Sequence, residues 1–215
     1  MKYSYLLISS LLFFTVTSTA QVTIVSVKIG KQTWMKENLS VSTYRNGDTI
    51  PQVQDKTEWR KLTTGAWCYY DNDPANGETY GKLYNWFAVN DPRGLAPKGW
   101  HIPSDKEWGK LESSLNAVLP KENIGGKLKE AGTAHWEFPN EAATNSSGFT
   151  ALPGGGRNDY GYFSYLGSSC DFWTITQDKE FRDWAILHSL FYGFGYTSTF
   201  SFDKRHGFSV RCIKD

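Results

Sequence analysis

The chain has 215 residues, 23 Lys and Arg against 22 Asp and Glu, and a formal net charge of +1. No basic or acidic run stands out, so the electrostatic footprint of a nucleic-acid binder or a membrane-surface protein is missing. Nine Trp, twenty Gly, two Met and 16% aromatic residues predict a core of wide rings packed around tight turns, as in loop-rich extracellular folds.

Residues 1–20 read as a secretory signal peptide, with Lys2 as the positive start, an apolar run over 6–16, and the small residues Ser18-Thr19-Ala20 before the cleavage point. The run is short for a membrane span and is followed by Gln21 and a polar chain, so no integral membrane segment is expected after cleavage. The expected location is secreted or at the cell surface. Residues 21–215 have the size of one domain with a real core. Cys68, Cys170 and Cys212 remain in it; the odd count leaves at least one thiol unpaired, and no spacing matches a zinc site.

In chain order, residues 22–29 alternate β-branched with polar side chains and end at Gly30, and Gln32-Thr-Trp-Met35 resumes the pattern. A hairpin around Gly30-Lys31 is predicted. Ile50-Pro-Gln-Val53 reads as extended and Glu58-Trp-Arg60 as a short helical turn. Gly65-Ala-Trp-Cys-Tyr-Tyr70 reads as a strand, followed by Asp71-Asn-Asp-Pro-Ala-Asn-Gly77. Asp71, Asp73 and Asn76 raise the question of a calcium loop, but with Gly77 as the turn glycine Pro74 would fall on a ligand position. A solvated turn held by Asx hydrogen bonds is expected instead, with no metal. Tyr80, Leu83, Tyr84, Phe87 and Ala88 follow a helical period, which predicts a first main helix over 81–89 ending near Asn90-Asp-Pro92.

The best-specified stretch is Leu95-Ala-Pro-Lys-Gly-Trp-His-Ile-Pro-Ser104 running into Asp105-Lys-Glu-Trp-Gly-Lys-Leu111. Trp100 and Ile102 alternate with His101 as in a half-buried strand. Ser104 with Glu107 forms a capping box, in which the hydroxyl takes a free amide of the first turn while the carboxylate reaches back to the Ser104 amide. Trp108, Leu111, Leu115 and Val118 give the second main helix one apolar stripe, and Pro120 closes it. A short helical turn is predicted over 126–131. Beyond residue 147 the pattern turns to strands and Gly-rich loops, with strands at 172–176, 184–187 and 208–213. The Gly-rich run 148–157 lacks the features of a phosphate-cradling loop, so its glycines are expected at close backbone crossings. The plan is α+β, two main helices packed on small, mostly antiparallel sheets.

The ordered motifs Trp34-Met-Lys-Glu-Asn-Leu39, Trp67-Cys-Tyr-Tyr70, Tyr80-Gly-Lys-Leu-Tyr-Asn-Trp86, Gly99-Trp-His-Ile-Pro-Ser-Asp105, Leu152-Pro-Gly-Gly-Gly-Arg157 and Gly207-Phe-Ser-Val-Arg-Cys212 resemble the Fibrobacter succinogenes major paralogous domain. The resemblance covers nearly all of residues 21–215. It implies a C-type-lectin-like fold, distantly related to the sulfatase-modifying formylglycine-generating enzymes, and supplies no known activity. Many relatives carry a Cys where this chain has Ala96, so a disulfide using that Cys does not transfer; Cys170 with Cys212 is the candidate replacement. The sulfatase-modifying enzymes use a closely spaced Cys pair, which this chain lacks. True C-type lectins bind calcium through Glu-Pro-Asn followed by Trp-Asn-Asp. Glu137-Phe-Pro-Asn140 only approaches that pattern, and calcium is not predicted.

His101, inside the strand-to-helix motif, is read as a structural imidazole bonded to a backbone carbonyl. No Gly-x-Ser-x-Gly elbow occurs, and no carboxylate pair is singled out for glycoside cleavage. The expectation is a noncatalytic ligand-binding or adhesion domain without a cofactor, for a glycan or a protein ligand. The alternative is an enzyme of the sulfatase-modifying type. Arg157, Asn158, Tyr160, Tyr162, Tyr192 and Tyr196 are the candidate ligand-binding residues, because Tyr set among Gly, Ser and Asn composes adaptable contact surfaces. The competing reading places these rings on the inward faces of strands.

Overall fold

The structure, a computed structural model, describes residues 24–115 and 123–215. The signal peptide, the start of the first predicted strand, and the helix positions Val118 and Pro120 lie outside them. The predicted hairpin is present: β1 (Ser26–Ile29) and β2 (Gln32–Met35) pair antiparallel, with Val27 opposite Trp34. Two later strands join it. β11 (Ile213–Lys214) pairs with both β2 and β5 (Trp100–His101), giving the order β1-β2-β11-β5. The two ends of the domain and its best-specified motif therefore share one sheet.

Directly after β5 the chain enters α4 (Asp105–Leu115), which buries Trp108 and Leu111. The Glu107 carboxylate accepts from the Ser104 amide at 2.8 Å, as the capping box requires. The other half differs: the Ser104 hydroxyl donates to the same carboxylate at 2.7 Å instead of accepting from the first turn. His101 also departs from expectation. Its ring lies between Glu107 Oε1 at 3.0 Å and Asp215 Oδ1 at 2.7 Å, not against a backbone carbonyl. Burial pulls the His101 pKa down, and the two carboxylates outweigh that and leave it raised.

The predicted single helix over 81–89 is replaced by two short elements, and a further helix precedes it. Asp73 caps α2 (Pro74–Tyr80), its carboxylate accepting from the Ala75 amide at 2.9 Å, and Pro74 sits in the first turn where its missing N–H costs nothing. The Asp71–Gly77 run thus spans the end of a 3-10 turn (Tyr70–Asn72) and the first four residues of α2, with the expected Asx bond at their junction. Gly81, at φ +78°, ends α2 in a conformation that side-chain-bearing residues rarely adopt. Leu83–Tyr84 then forms β4 against β3 (Trp67–Cys68), and Asn85 caps α3 (Trp86–Val89). Two further short helices, α1 (Lys56–Arg60) and α5 (Ile124–Leu128), occur close to where helical turns were predicted. The apolar residues of 80–88 do not share one face: Leu83 enters the cluster around Trp59, whereas Tyr84, Trp86 and Ala88 enter the one around Trp173.

The second half builds a five-stranded sheet of order β10-β9-β8-β6-β7. Its strands are β6 (Gly154–Arg157), β7 (Phe163–Leu166), β8 (Ser169–Gln177), β9 (Trp184–Phe191) and β10 (Thr197–Asp203). Pairing is antiparallel except between β6 and β8 at Gly155 and Cys170. The Gly-rich run is a close crossing, as predicted: a Cβ on Gly155 (φ +58°) would stand 2.5 Å from the Ser164 carbonyl oxygen. β10 was not anticipated. Residues 207–209 bridge to both Arg157 and Phe172, wedging the returning chain between β6 and β8.

Both faces of this sheet are covered near its centre. Cys170, Phe172 and Leu190 pack with Trp34, Trp108, Leu111 and Phe149. Trp173, Ala185 and Leu187, which point the other way, pack with Tyr84, Trp86 and Phe208. The three cysteines are free and buried, so the Cys170–Cys212 disulfide suggested by resemblance is not formed. Cys170 belongs to the first of these clusters and Cys212 to the second. The result is a loop-rich α+β domain of mostly antiparallel sheets with few helices.

Candidate ligand-binding groove

On β8, alternate residues serve opposite faces: Cys170 and Phe172 enter one core, while Ser169, Asp171 and Trp173 face the other way. Register carries this second face across the sheet, since Asp171 lies opposite Ser189, Ser169 opposite Phe191, Trp173 opposite Leu187, and Leu187 opposite Phe200. The Trp173 end is roofed by Phe208 and α3. The Asp171 end is not. There the face opens as a groove of about 480 Å³, with Ser169, Asp171 and Ser189 on the central strands and Phe200 and Phe202 on β10. Ser164 and Tyr165 line it from the β7 side, Gly156, Arg157 and Asn158 from β6 and the turn after it, and Phe191, His206 and Phe208 complete it. Tyr165 is 63% exposed and Phe200 50%.

The rings form a connected wall. Phe202 lies 5.1 Å from His206 and 5.8 Å from Phe208, and His206 stacks on Phe208 at 5.5 Å. Burial lowers the His206 pKa, leaving it neutral at neutral pH. The Asp171 carboxylate accepts from the Ser169 hydroxyl at 2.7 Å and from the Ser189 side chain. Burial raises its pKa, with the two serines partly offsetting this. A second depression, of about 1000 Å³, lies near β1, β2 and β5, but its one ring is the buried Trp100.

The six predicted residues do not form one site. Arg157 is 1% exposed, and its guanidinium donates to the carbonyls of Val53 (2.7 Å), Gln54 (2.7 Å) and Gly161 (3.1 Å). It is also sandwiched by Trp59 and Phe163. That makes it a structural cross-link, with every guanidinium edge committed. Asn158 lines the groove, but its side-chain oxygen accepts from the amides of Tyr160 and Tyr162 to shape the β6–β7 turn. Tyr160 and Tyr162 are exposed beside that turn, under the cations of Arg60 and Lys56. Tyr192 packs against the core cluster around Trp108. Tyr196 is exposed and stacks on Phe194 at 4.8 Å. None of these four tyrosines lines the groove.

Sequence reasoning missed Ser169, Asp171, Ser189, Phe200 and Phe202. A signal existed: Thr197-Ser-Thr-Phe-Ser-Phe202 alternates as a strand does, and Ser169-x-Asp171 alternates with Cys170 and Phe172. Only the strand register brings the two patterns together.

By architecture this is an α+β domain with an open, ring-walled groove at one end of its larger sheet. The chain belongs to the Fibrobacter succinogenes major domain family, whose model matches residues 27–214. No curated protein and no solved structure matches it. Among the described residues no helix is long and apolar enough to cross a membrane.

Proposed function

We propose that this chain is an exported, noncatalytic ligand-binding or adhesion domain of C-type-lectin-like fold, secreted or held at a bacterial cell surface, with a glycan or protein ligand. The observation that carries the reading is the groove. Tyr165, Phe200 and Phe202 keep apolar rings in water around a hydrogen-bonded polar floor, and a contiguous exposed apolar patch with convergent polar groups marks a contact site. Rings supply large contact area for little side-chain entropy, and the serines and carboxylate supply direction.

The alternative, chemistry of the sulfatase-modifying type, needs a reactive thiol pair. Burial pushes Cys68 and Cys212 each up to about 12 and raises Cys170 as well, the reverse of what thiolate chemistry requires.

Affinity electrophoresis of the domain through gels containing cellulose derivatives, xylan, chitosan or a surface-protein extract tests the binding reading. At least one matrix is expected to retard the native domain, and Tyr165→Ala with Phe200→Ala is expected to weaken retardation about tenfold while leaving the melting temperature within a few degrees. Equal retardation of the native and double-variant domains would remove the groove from the interaction.

A further inference from the structure

Resting on that binding reading, we infer that the groove takes a primary ammonium at the end of an alkyl chain, a lysine side chain presented by a protein segment, with the ammonium on Asp171 and the stem along Phe200 and Phe202. Three observations converge. The first is charge. Asp171 stands among rings with two serine hydroxyls as its hydrogen-bond donors, and no ion pair among the described residues includes it. The groove's one fixed cation, Arg157, is held away by the carbonyls of Val53, Gln54 and Gly161. His206, the other basic group there, is kept neutral by burial. A carboxylate so placed lacks a counter-charge, and a bound cation would supply one.

The second observation is the walls. Phe200, Phe202, Phe208 and Tyr165 present π faces and edges, which attract a desolvated ammonium and cover an alkyl stem at once. The third is the scarcity of polar partners. A sugar ring carries hydroxyls around its whole edge and needs donors and acceptors spread along the site, whereas of the polar residues lining this groove Arg157, Asn158 and His206 are bonded to the chain's own backbone, which leaves Ser164, Ser169, Asp171 and Ser189 with apolar rings beyond. One charged head and an apolar stem fit that distribution. A chain of hydroxyls does not.

The test is an NMR titration of the folded domain with the peptide Gly-Lys-Gly, its Nε-acetylated form, chitosan tetramer and cellotetraose, repeated on Asp171→Asn and Phe200→Ala. The free-lysine peptide is expected to shift resonances of β8, β9 and β10 saturably. Acetylation or Asp171→Asn should each weaken it tenfold or more, with Phe200→Ala reducing it several-fold. Equal binding of the free and acetylated peptides to the native domain overturns the inference, and this comparison stands even if Asp171→Asn does not fold. Tighter binding of chitosan tetramer than of the peptide would move the ammonium to an amino sugar and overturn the protein source. Cellotetraose binding that falls with Phe200→Ala but not with Asp171→Asn would overturn the cation while keeping the binding groove. Indifference of every probe to both variants would remove both.

Discussion

Replacing Arg157 by Met is expected to destabilise the domain by about 3–5 kcal/mol, as expected when a buried charged cross-link is cut. The reason is local. Three backbone carbonyls, of Val53, Gln54 and Gly161, lose their donors, and each buried acceptor left unpaired costs roughly 1–3 kcal/mol. Two of these carbonyls lie just before Asp55, the residue that caps α1, and the third lies in the β6–β7 turn. The guanidinium therefore ties the first half of the chain to the second. Trp59 and Phe163 add ring contacts to its faces at 4.4 and 4.8 Å. Arg157→Lys should recover little, because a point ammonium cannot reach three diverging carbonyls and stack at once. Urea unfolding of both variants measures this. A stable Arg157→Lys with impaired ligand binding would instead return Arg157 to a contact role.

Trp108→Ala is expected to cost a similar amount, about 3–5 kcal/mol, from lost burial and the cavity left behind. Trp108 is 1% exposed. It meets Trp34 at 5.1 Å, Phe172 at 5.4 Å and Phe149 at 5.8 Å, and stacks on His188 at 5.0 Å. It is thus the point where α4, the β1–β2 hairpin and the five-stranded sheet touch. For a domain of this size the loss corresponds to a fall in melting temperature of roughly 6–20 °C. Thermal unfolding followed by tryptophan fluorescence checks it. A fall of less than about 3 °C would mean that α4 is held chiefly elsewhere.

These two residues mark how far the sequence could be read. Trp108 was placed correctly because a helical stripe and a Ser-x-x-Glu start are local patterns with a local cause. The β1–β2 hairpin was legible for the same reason. The region 74–89 was not, because its apolar spacing fits one helix equally well; what decides against that helix is the pairing of Leu83 and Tyr84 with Cys68 and Trp67, a long-range fact. Arg157 was misassigned because a surface-loving residue beside exposed tyrosines says nothing of the carbonyls a hundred residues earlier that claim it. The groove was hidden in the same way. Its aromatic content was noticed, but along the β6–β7 and β9–β10 loops. The rings that line it come from β7, β9, β10 and the chain after β10, brought together by a register that no local pattern reveals.

The location of a bound ligand is tested most directly by hydrogen–deuterium exchange of the domain with and without the polysaccharide or peptide that binds it best. Added protection is expected in peptides spanning 163–172, 187–192 and 197–203, the strands that meet at Asp171, Ser189 and Phe200. Protection confined to α4, to the depression beside β1 and β5, or to no segment at all would contradict a binding groove on the larger sheet.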